Sequence, residues 1–341
     1  MGSTNWGELF PGRWSFVIFI TYMALFVNQG IIVTWSQTKG HYEYNTVIVV
    51  LATEILKLIV SAILYCYKNK PVELAHEIIH HKNVLLLYMI PSILYCLYNN
   101  LAFVNLAEFD PTTYYILLQF RVVVTGIIFQ LVFKKYLSMK QWISLFILTI
   151  GCMVKHIHIS QNSENFETNF HININIIFIV IQVICSCLAG VYNEYLLKGK
   201  GANINIFLQN IFMYFDSIIC NIIAFVILIN VPNSFAIQFN NNNHHSIFTQ
   251  PKIILIMINN AAVGIITSFF LKNLNSILKT FASALELVFT AILCWIIFHI
   301  PIYSNTIISI AMVSYAVVLY SQNPVINIKP EKDIEEEENL V

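Results

Sequence analysis

The sequence predicts an all-α, polytopic membrane protein whose ten transmembrane helices form two inverted five-helix repeats. Three observations lead there: too little charge for a soluble body, ten apolar runs of spanning length, and a lysine bias that alternates between connections. Of 341 residues, 57% are hydrophobic and only 11% are charged, with a net charge of +0 and a mean hydropathy of +0.70. Soluble domains carry roughly 25% charged residues, and less than half that density cannot cover a water-soluble surface of this length. The arithmetic excludes an ordinary cytosolic enzyme, a secreted disulfide scaffold, a disordered regulator and a nucleic-acid binder, which needs a basic surplus. About 195 apolar residues, at about 20 per spanning helix, fill roughly nine to eleven crossings.

The runs fall at 14–36, 45–67, 84–106, 111–133, 139–158, 172–197, 205–230, 252–273, 278–299 and 302–321. None alternates with period two, so none reads as a barrel strand. Span one is too long for a signal-peptide core and lacks a small-residue cleavage site. Span two carries Glu54, Lys57 and Ser61 on one face, and span three carries Tyr95, Asn99 and Asn100. Span four follows the short link 108–110, opens with Pro111 where the missing N–H costs nothing, and presents Tyr114, Leu118, Arg121 and Thr125 at i, i+4, i+7 and i+11. Spans five and six are mostly apolar, although span six ends on Glu194. Span seven repeats the spacing with Asn210, Tyr214, Ser217 and Asn221, and also holds Asp216. Span eight is apolar. Span nine repeats the spacing again with Lys279, Ser283, Glu286 and Thr290, and span ten follows Pro301. Each set shares a helix face. The seven cysteines all lie within apolar runs and read as small buried hydrophobes rather than disulfides or metal ligands.

With the N-terminus in the cytosol, successive cytosolic connections collect Lys68, Lys70 and Lys82, then Lys134, Lys135 and Lys140, then Lys198 and Lys200, then Lys272. The opposite side holds mainly Lys39 and the two longest loops, 159–171 and 231–251. That asymmetry sets the orientation and returns the C-terminus to the cytosol. The chain then divides into a first five-helix repeat (1–158), a lumenal loop (159–171), a second five-helix repeat (172–321) and an acidic, solvated tail (322–341). Five is odd, so the repeats are inverted. A sequence echo supports this: 111–151 resembles 276–316 at a shift of 165, with Thr125 matching Thr290.

A charge at mid-membrane costs about 2.5–3.5 kcal/mol on insertion scales, so Glu54, Lys57, Arg121, Glu194, Asp216, Lys279 and Glu286 must face a cavity or each other. Individual Ser, Thr and Asn residues also serve as glue between helices; buried cations need more than packing. Arg121, Lys57 and Lys279 suit phosphate oxygens. Tyr95, Tyr114 and Tyr214 suit a base or sugar face, and Asn99, Asn100 and Asn210 suit base edges and hydroxyls. Together they describe a phosphorylated, hydroxyl-rich, partly aromatic anion. There is no phosphate-binding GxxxxGK[ST] loop, HExxH or GxSxG, so neither ATP hydrolysis nor an enzyme is indicated. His80 with His81, and His244 with His245, read as solvated loop pairs, and no metal or cofactor is expected.

These residues resemble a known family. YCLYNNLAF over 95–103, followed by Asp110, Tyr114, Gln119 and Lys135, is similar to the third and fourth helices of nucleotide-sugar transporters, in the branch for CMP-sialic acid, UDP-galactose and UDP-N-acetylglucosamine. TEILK over 53–57, Gln141 with Trp142, AGVYNE over 189–194, NIFMY over 210–214 and ILKTF over 277–281 match in order. The resemblance implies the ten-helix drug/metabolite-transporter fold, a Golgi or endoplasmic-reticulum membrane, and exchange of a cytosolic nucleotide sugar, foremost a UDP-sugar, for a lumenal nucleoside monophosphate by alternating access. It also implies substrate contacts at Lys57, Tyr95, Asn99, Asn100, Tyr114, Arg121, Asn210, Tyr214 and Lys279, with phosphate at Lys279 and Arg121. The chain departs from the pattern at Arg121, where Lys is usual, at Asp216, where a small polar residue is usual, at Glu286, where a small apolar one is, and at Tyr115, where Gln is common. Glu54, Asp216 and Glu286 are therefore candidates for ion pairing or proton coupling, with Glu286 expected to hold Arg121 in the empty site. The expected partners are the two nucleotides, the lipid bilayer and a second copy of the chain in a homodimer. The alternative is a proton-coupled exporter of drugs, metabolites or amino acids from the same superfamily.

Overall fold

A computed structural model of the protein describes residues 10–36, 46–67, 69–109, 111–156, 175–229, 251–299, 302–322 and 325. Within them the chain forms helices and no strand, as an apolar backbone in lipid requires, because only internally bonded helices or closed barrels leave no N–H or C=O unpaired. The order is α1 (Arg13–Ser36), α2 (Thr46–Cys66), α3 (Pro71–His80), α4 (Lys82–Glu108), α5 (Pro111–Leu118), α6 (Arg121–Phe133), α7 (Met139–His156), α8 (Asn175–Lys198), α9 (Ile206–Ile229), α10 (Pro251–Asn273), α11 (Ser276–Phe298) and α12 (Ser304–Ser321). Among the described residues eight stretches are long and apolar enough to cross a membrane: one each in α2, α4, α8, α9, α10, α11 and α12, and one that runs through α5 and α6. In α1 the apolar stretch Trp14–Gln29 is shorter. The ends of α7 are polar (Lys140, Gln141, Lys155, His156), which lowers its mean hydropathy. The chain is thus an all-helical, multi-pass membrane protein. The loops 159–171 and 231–250, Asp110, His244, His245 and the tail beyond 325 lie outside the described residues.

Two elements differ from the ten predicted runs. The first is α3, in a segment read as a plain loop. Pro71 occupies its first turn and the Glu73 carboxylate accepts the Lys70 backbone N–H at 3.3 Å. Leu74 and Ile78, one turn apart, pack on the core cluster of Tyr65, Tyr88 and Phe212. The second is a break in span four. Gln119, Phe120 and Val122 donate to carbonyls only three residues back (Ile116, Leu117 and Gln119), at 3.1, 3.2 and 3.1 Å. This tightened turn deprives the Tyr115 carbonyl of its usual N–H, and the Gln119 side-chain amide replaces it at 3.2 Å.

The chain forms two compact units, and they are not its two halves. One comprises Met1–Arg13, Leu97–Val191 and Ser276–Val341; the other comprises Trp14–Cys96 and Tyr192–Asn275. Each therefore takes helices from both sides of the 159–171 loop. In the second unit α2 packs along α9 and α10. Its core holds Tyr65, Tyr88, Leu196, Ile204, Leu208, Ile211 and Phe212. Buried Gln209 is satisfied on both ends of its amide: it accepts from the Tyr88 hydroxyl at 2.7 Å and donates to the Gly201 and Ile204 carbonyls at 2.8 and 3.0 Å. In the first unit α7 packs most closely on α12. A Cβ at Gly151 would lie 3.0 Å from Met312 Cβ, so the bare Cα lets the two backbones approach, as small residues do in membranes. Leu145, Leu148, Val313 and Ala316 are buried in this unit.

Candidate functional site

Several of the predicted site residues gather in two groups, one within each unit. In the second unit, α2 carries Lys57 one turn after Glu54, and the two are ion-paired, Nζ to Oε1, at 2.7 Å. The same ammonium sits 5.4 Å from the centroid of the Tyr214 ring on α9, close enough for a cation–π attraction. Tyr214 is buried, and its hydroxyl has no hydrogen-bond partner among the described residues. Asn210, one turn earlier on α9, is buried with its Nδ2 unbonded, and Ser61 on the Lys57 face of α2 has an unbonded, buried Oγ. A buried polar group without a partner is costly, so this cluster is rich in unsatisfied donors beside a cation. The i, i+4 spacing read from the sequence does place these groups on common faces. Ser217 and Asn221, further along α9, bond only to each other: the Asn221 amide donates to the Ser217 carbonyl and hydroxyl at 2.8 and 3.3 Å.

In the first unit, the Gln182 amide donates to the Tyr114 hydroxyl at 2.8 Å, and the Gln182 carbonyl oxygen accepts from the Asn105 amide at 2.7 Å. All three are buried, so the Tyr114 ring is fixed from α8 and α4. Gln182 and Asn105 were missed by the sequence reading. Their only signal is a lone amide in an apolar run, shared by many packing residues. Arg121 begins α6 just past the tightened turn. Its carbonyl accepts from Thr125 Oγ1 at 2.7 Å and Cys187 Sγ at 3.2 Å, but its guanidinium makes no ion pair within 4.0 Å among the described residues, where the pairs are Lys57–Glu54, His81–Glu77 and Lys198–Glu194. The expected Glu286 partner is engaged otherwise: its Oε1 accepts from Thr290 Oγ1 at 3.0 Å, with Lys155 and then Arg121 acting on it over longer range. A local hydroxyl one turn away has satisfied the carboxylate.

Lys279 is half-buried on the first turn of α11, Asn100 is half-buried on α4, and Asn99 is exposed there. Asp216 is buried on α9 with an unbonded Oδ2. It lies two residues past Tyr214, about 200° around the helix, and so is not part of the Lys57 cluster. Glu194, carried by the AGVYNE stretch, has a structural partner: it is 1% exposed and pairs with Lys198 at 2.7 Å, whose ammonium also donates to the Leu274 carbonyl after α10. Among the described residues no group of three His, Cys, Asp or Glu side chains is placed to hold a metal.

One unit thus offers the Arg121 guanidinium, with no ion pair among the described residues, and the fixed Tyr114; the other offers the Lys57 ammonium, paired with Glu54, beside Tyr214 and the unbonded Asn210 amide. Cations, aromatic rings and amides are groups suited to an anion with polar and aromatic parts. Comparison with known proteins shows the family. The family model described as nucleotide-sugar transporter matches residues 14–321. A Drosophila melanogaster protein named UDP-galactose transporter senju is 54% identical over 357 aligned positions, covering 96% of this chain and 91% of its own. CMP-sialic acid transporter 1 of Oryza sativa subsp. japonica is 28% identical, covering 80% of this chain and 83% of its own. One crystal structure of a protein shares the fold at 10% identity, with a TM-score of 0.62, covering 89% of this chain and 95% of that one. With the family model matching nearly all of the helical chain, the chain belongs to the nucleotide-sugar transporter family.

Proposed function

We propose that the protein exchanges a cytosolic UDP-sugar for a lumenal nucleoside monophosphate across a Golgi or endoplasmic-reticulum membrane, by alternating access of one site to the two sides. The observation that carries this reading is the Arg121 guanidinium: an intramembrane cation, half-buried, with no carboxylate within ion-pair distance among the described residues. Such a charge is tolerated where an anion or water reaches it, and its planar fork suits phosphate oxygens bidentately. Lys279 is assigned to phosphate as well, Tyr114 to the nucleoside, and Lys57 with Tyr214 and Asn210 to sugar hydroxyls or phosphate. Tyr95, Asn99 and Asn100 complete the set by resemblance. The 54% identity with a protein named as a UDP-galactose transporter supports a UDP-sugar. We further read α1 and α7 as crossing the bilayer, for ten spans in all, arranged as inverted repeats joined by the 159–171 loop, and a homodimer as the assembly.

The test is uptake of labelled UDP-galactose into liposomes holding the purified protein, either empty or preloaded with UMP, CMP, GMP or AMP. Preloading with the matching monophosphate is expected to stimulate uptake strongly, and Arg121→Ala to abolish it where Arg121→Lys retains part. Equal uptake into empty and preloaded vesicles would overturn exchange. A second reading, a proton-coupled exporter, is favoured by one observation, the buried and unbonded Oδ2 of Asp216. It requires uptake to follow an imposed pH gradient and to be lost in Asp216→Asn.

A further inference from the structure

We propose that Gly264 of α10 is a positioning residue for ligand recognition: its missing side chain is the slot in which the Lys57 side chain lies. The inference rests on the reading that Lys57 contacts ligand. Lys57 projects from α2, which packs against α10. On one side Glu54 Oε1 holds the ammonium at 2.7 Å, and on another lies the Tyr214 ring, 5.4 Å from its centroid. The third wall is Gly264. A Cβ there would come 2.6 Å from Lys57 Cε, 2.9 Å from Cδ and 3.2 Å from Nζ, where carbon pairs rest at about 3.5–4.0 Å. All three of these atoms belong to the far half of one flexible side chain. The closest contacts of an added methyl are therefore all with the lysine side chain, which can move aside.

This separates two effects that usually travel together. Gly264 sits in the interior of a 23-residue helix, where alanine is the better helix former. Were the position only structural, Gly264→Ala would be harmless or stabilising. In the slot reading the variant folds as well as the parent yet lifts the ammonium from Glu54 and Tyr214, so that phosphate or sugar oxygens meet a cation in the wrong place. The sequence does not mark this glycine, because it lies in no turn and in none of the quoted motifs. Only the lysine lying across it reveals the role.

The experiment compares the parent protein with Gly264→Ala, Lys57→Ala and the double variant, by KM and Vmax for UDP-galactose uptake in preloaded liposomes and by melting temperature in detergent. Lys57 reductive methylation, followed by mass spectrometry, is compared between the parent protein and Gly264→Ala. Gly264→Ala is expected to raise KM severalfold at nearly unchanged Vmax and melting temperature, and to speed methylation of Lys57. In the Lys57→Ala background the same substitution is expected to leave KM within about twofold, since a residue acting only through its neighbour has nothing left to act on. An unchanged KM, or an equal loss in both backgrounds, overturns the proposal. If the parent protein shows no exchange at all, the transporter reading fails on its own. The methylation rate then decides the slot, and an unchanged rate refutes it. Should Gly264→Ala misfold, Glu54→Gln removes the charge that holds the ammonium without adding bulk. Faster methylation with a raised KM then supports the parked lysine, and parental values overturn it.

Discussion

At the scale of single residues, the cost of a local conformation stands out against the chemistry around it. Lys134, which closes α6, has φ 54 and ψ 32, the left-handed region that costs a residue with a Cβ roughly 1–2 kcal/mol and that glycine enters freely. Lys134 is exposed, and among the described residues no ion pair or side-chain hydrogen bond repays that cost. Lys134→Gly is therefore expected to stabilise the protein by about 0.5–1 kcal/mol after allowing for the greater freedom of an unfolded glycine. Thermal unfolding in detergent reads it directly: a melting temperature below that of the parent protein would show that the lysine makes a contact worth more than its strain. Elsewhere the residue scale was partly legible in advance. Glu54, Lys57, Asn210 and Tyr214 stand out in the sequence by spacing, because an apolar run makes any charge or amide conspicuous. The Tyr114 support by Gln182 and Asn105 was not found, because it joins residues 68 and 77 positions apart and spacing reports only what one helix places on one face. Nor was the Thr290 bond to Glu286 anticipated: a pairing of opposite charges across helices looks compelling in a sequence, while a hydroxyl one turn away satisfies the same oxygen with no helix needing to move.

Among the elements, the C-terminal end of α8 shows how a charged stretch becomes architecture. Glu194 is almost wholly buried, and its ion pair with Lys198 is linked onward to the carbonyl that follows α10. Removing one partner of a buried pair leaves an uncompensated charge and costs about 3–5 kcal/mol, whereas replacing both with apolar groups is often neutral. Lys198→Met is accordingly expected to lower stability sharply, and Glu194→Leu combined with Lys198→Met to recover most of it. Yield and melting temperature of the three variants measure this. A double variant as unstable as the single would place the fault in the lost bond to the Leu274 carbonyl instead. The breaks between elements were less legible than the elements themselves. Apolar runs fix helices because lipid leaves the backbone no other partner, so the bounds agreed to within about three residues, a normal margin for helix ends. The tightened turn at 119–120 contains no Pro or Gly to announce it. α3 carries its apolar residues on two sides, Leu74 and Ile78 towards the core and Val72 and Ile79 exposed, so its ten residues were too short and too charged to stand out as a run.

For the whole molecule, hydropathy counts crossings while basic residues choose their direction. The proposed ten spans place both termini on one side, and the lysines of the connections select the cytosol: Lys68, Lys70 and Lys82 flank α3, Lys134, Lys135 and Lys140 lie between α6 and α7, Lys198 and Lys200 follow α8, and Lys272 ends α10. Long loops translocate largely regardless of charge, so in this proposed orientation the nearly lysine-free 159–171 and 231–251 segments are expected in the lumen. A span count of eight, keeping only the stretches that qualify by length and hydropathy, would also return the termini to one common side. It would, however, leave α7 uncrossed and set Lys134, Lys135 and Lys140 on the same side as the 159–171 loop. Epitope tags separate the two. Tags at the N-terminus, at the C-terminus and in the connection between α6 and α7 should bind antibody after selective permeabilisation of the plasma membrane, while a tag within 159–171 should bind only after all membranes are opened. If the tag between α6 and α7 is protected while the terminal tags are reached, as a count of eight without α1 and α7 requires, the five-plus-five inverted arrangement fails. If it is reached with the termini and the 159–171 tag stays protected, α7 crosses despite its polar ends. Lys140 and Lys155, near its two ends, then extend towards the two headgroup layers, where long basic side chains keep their charge in water.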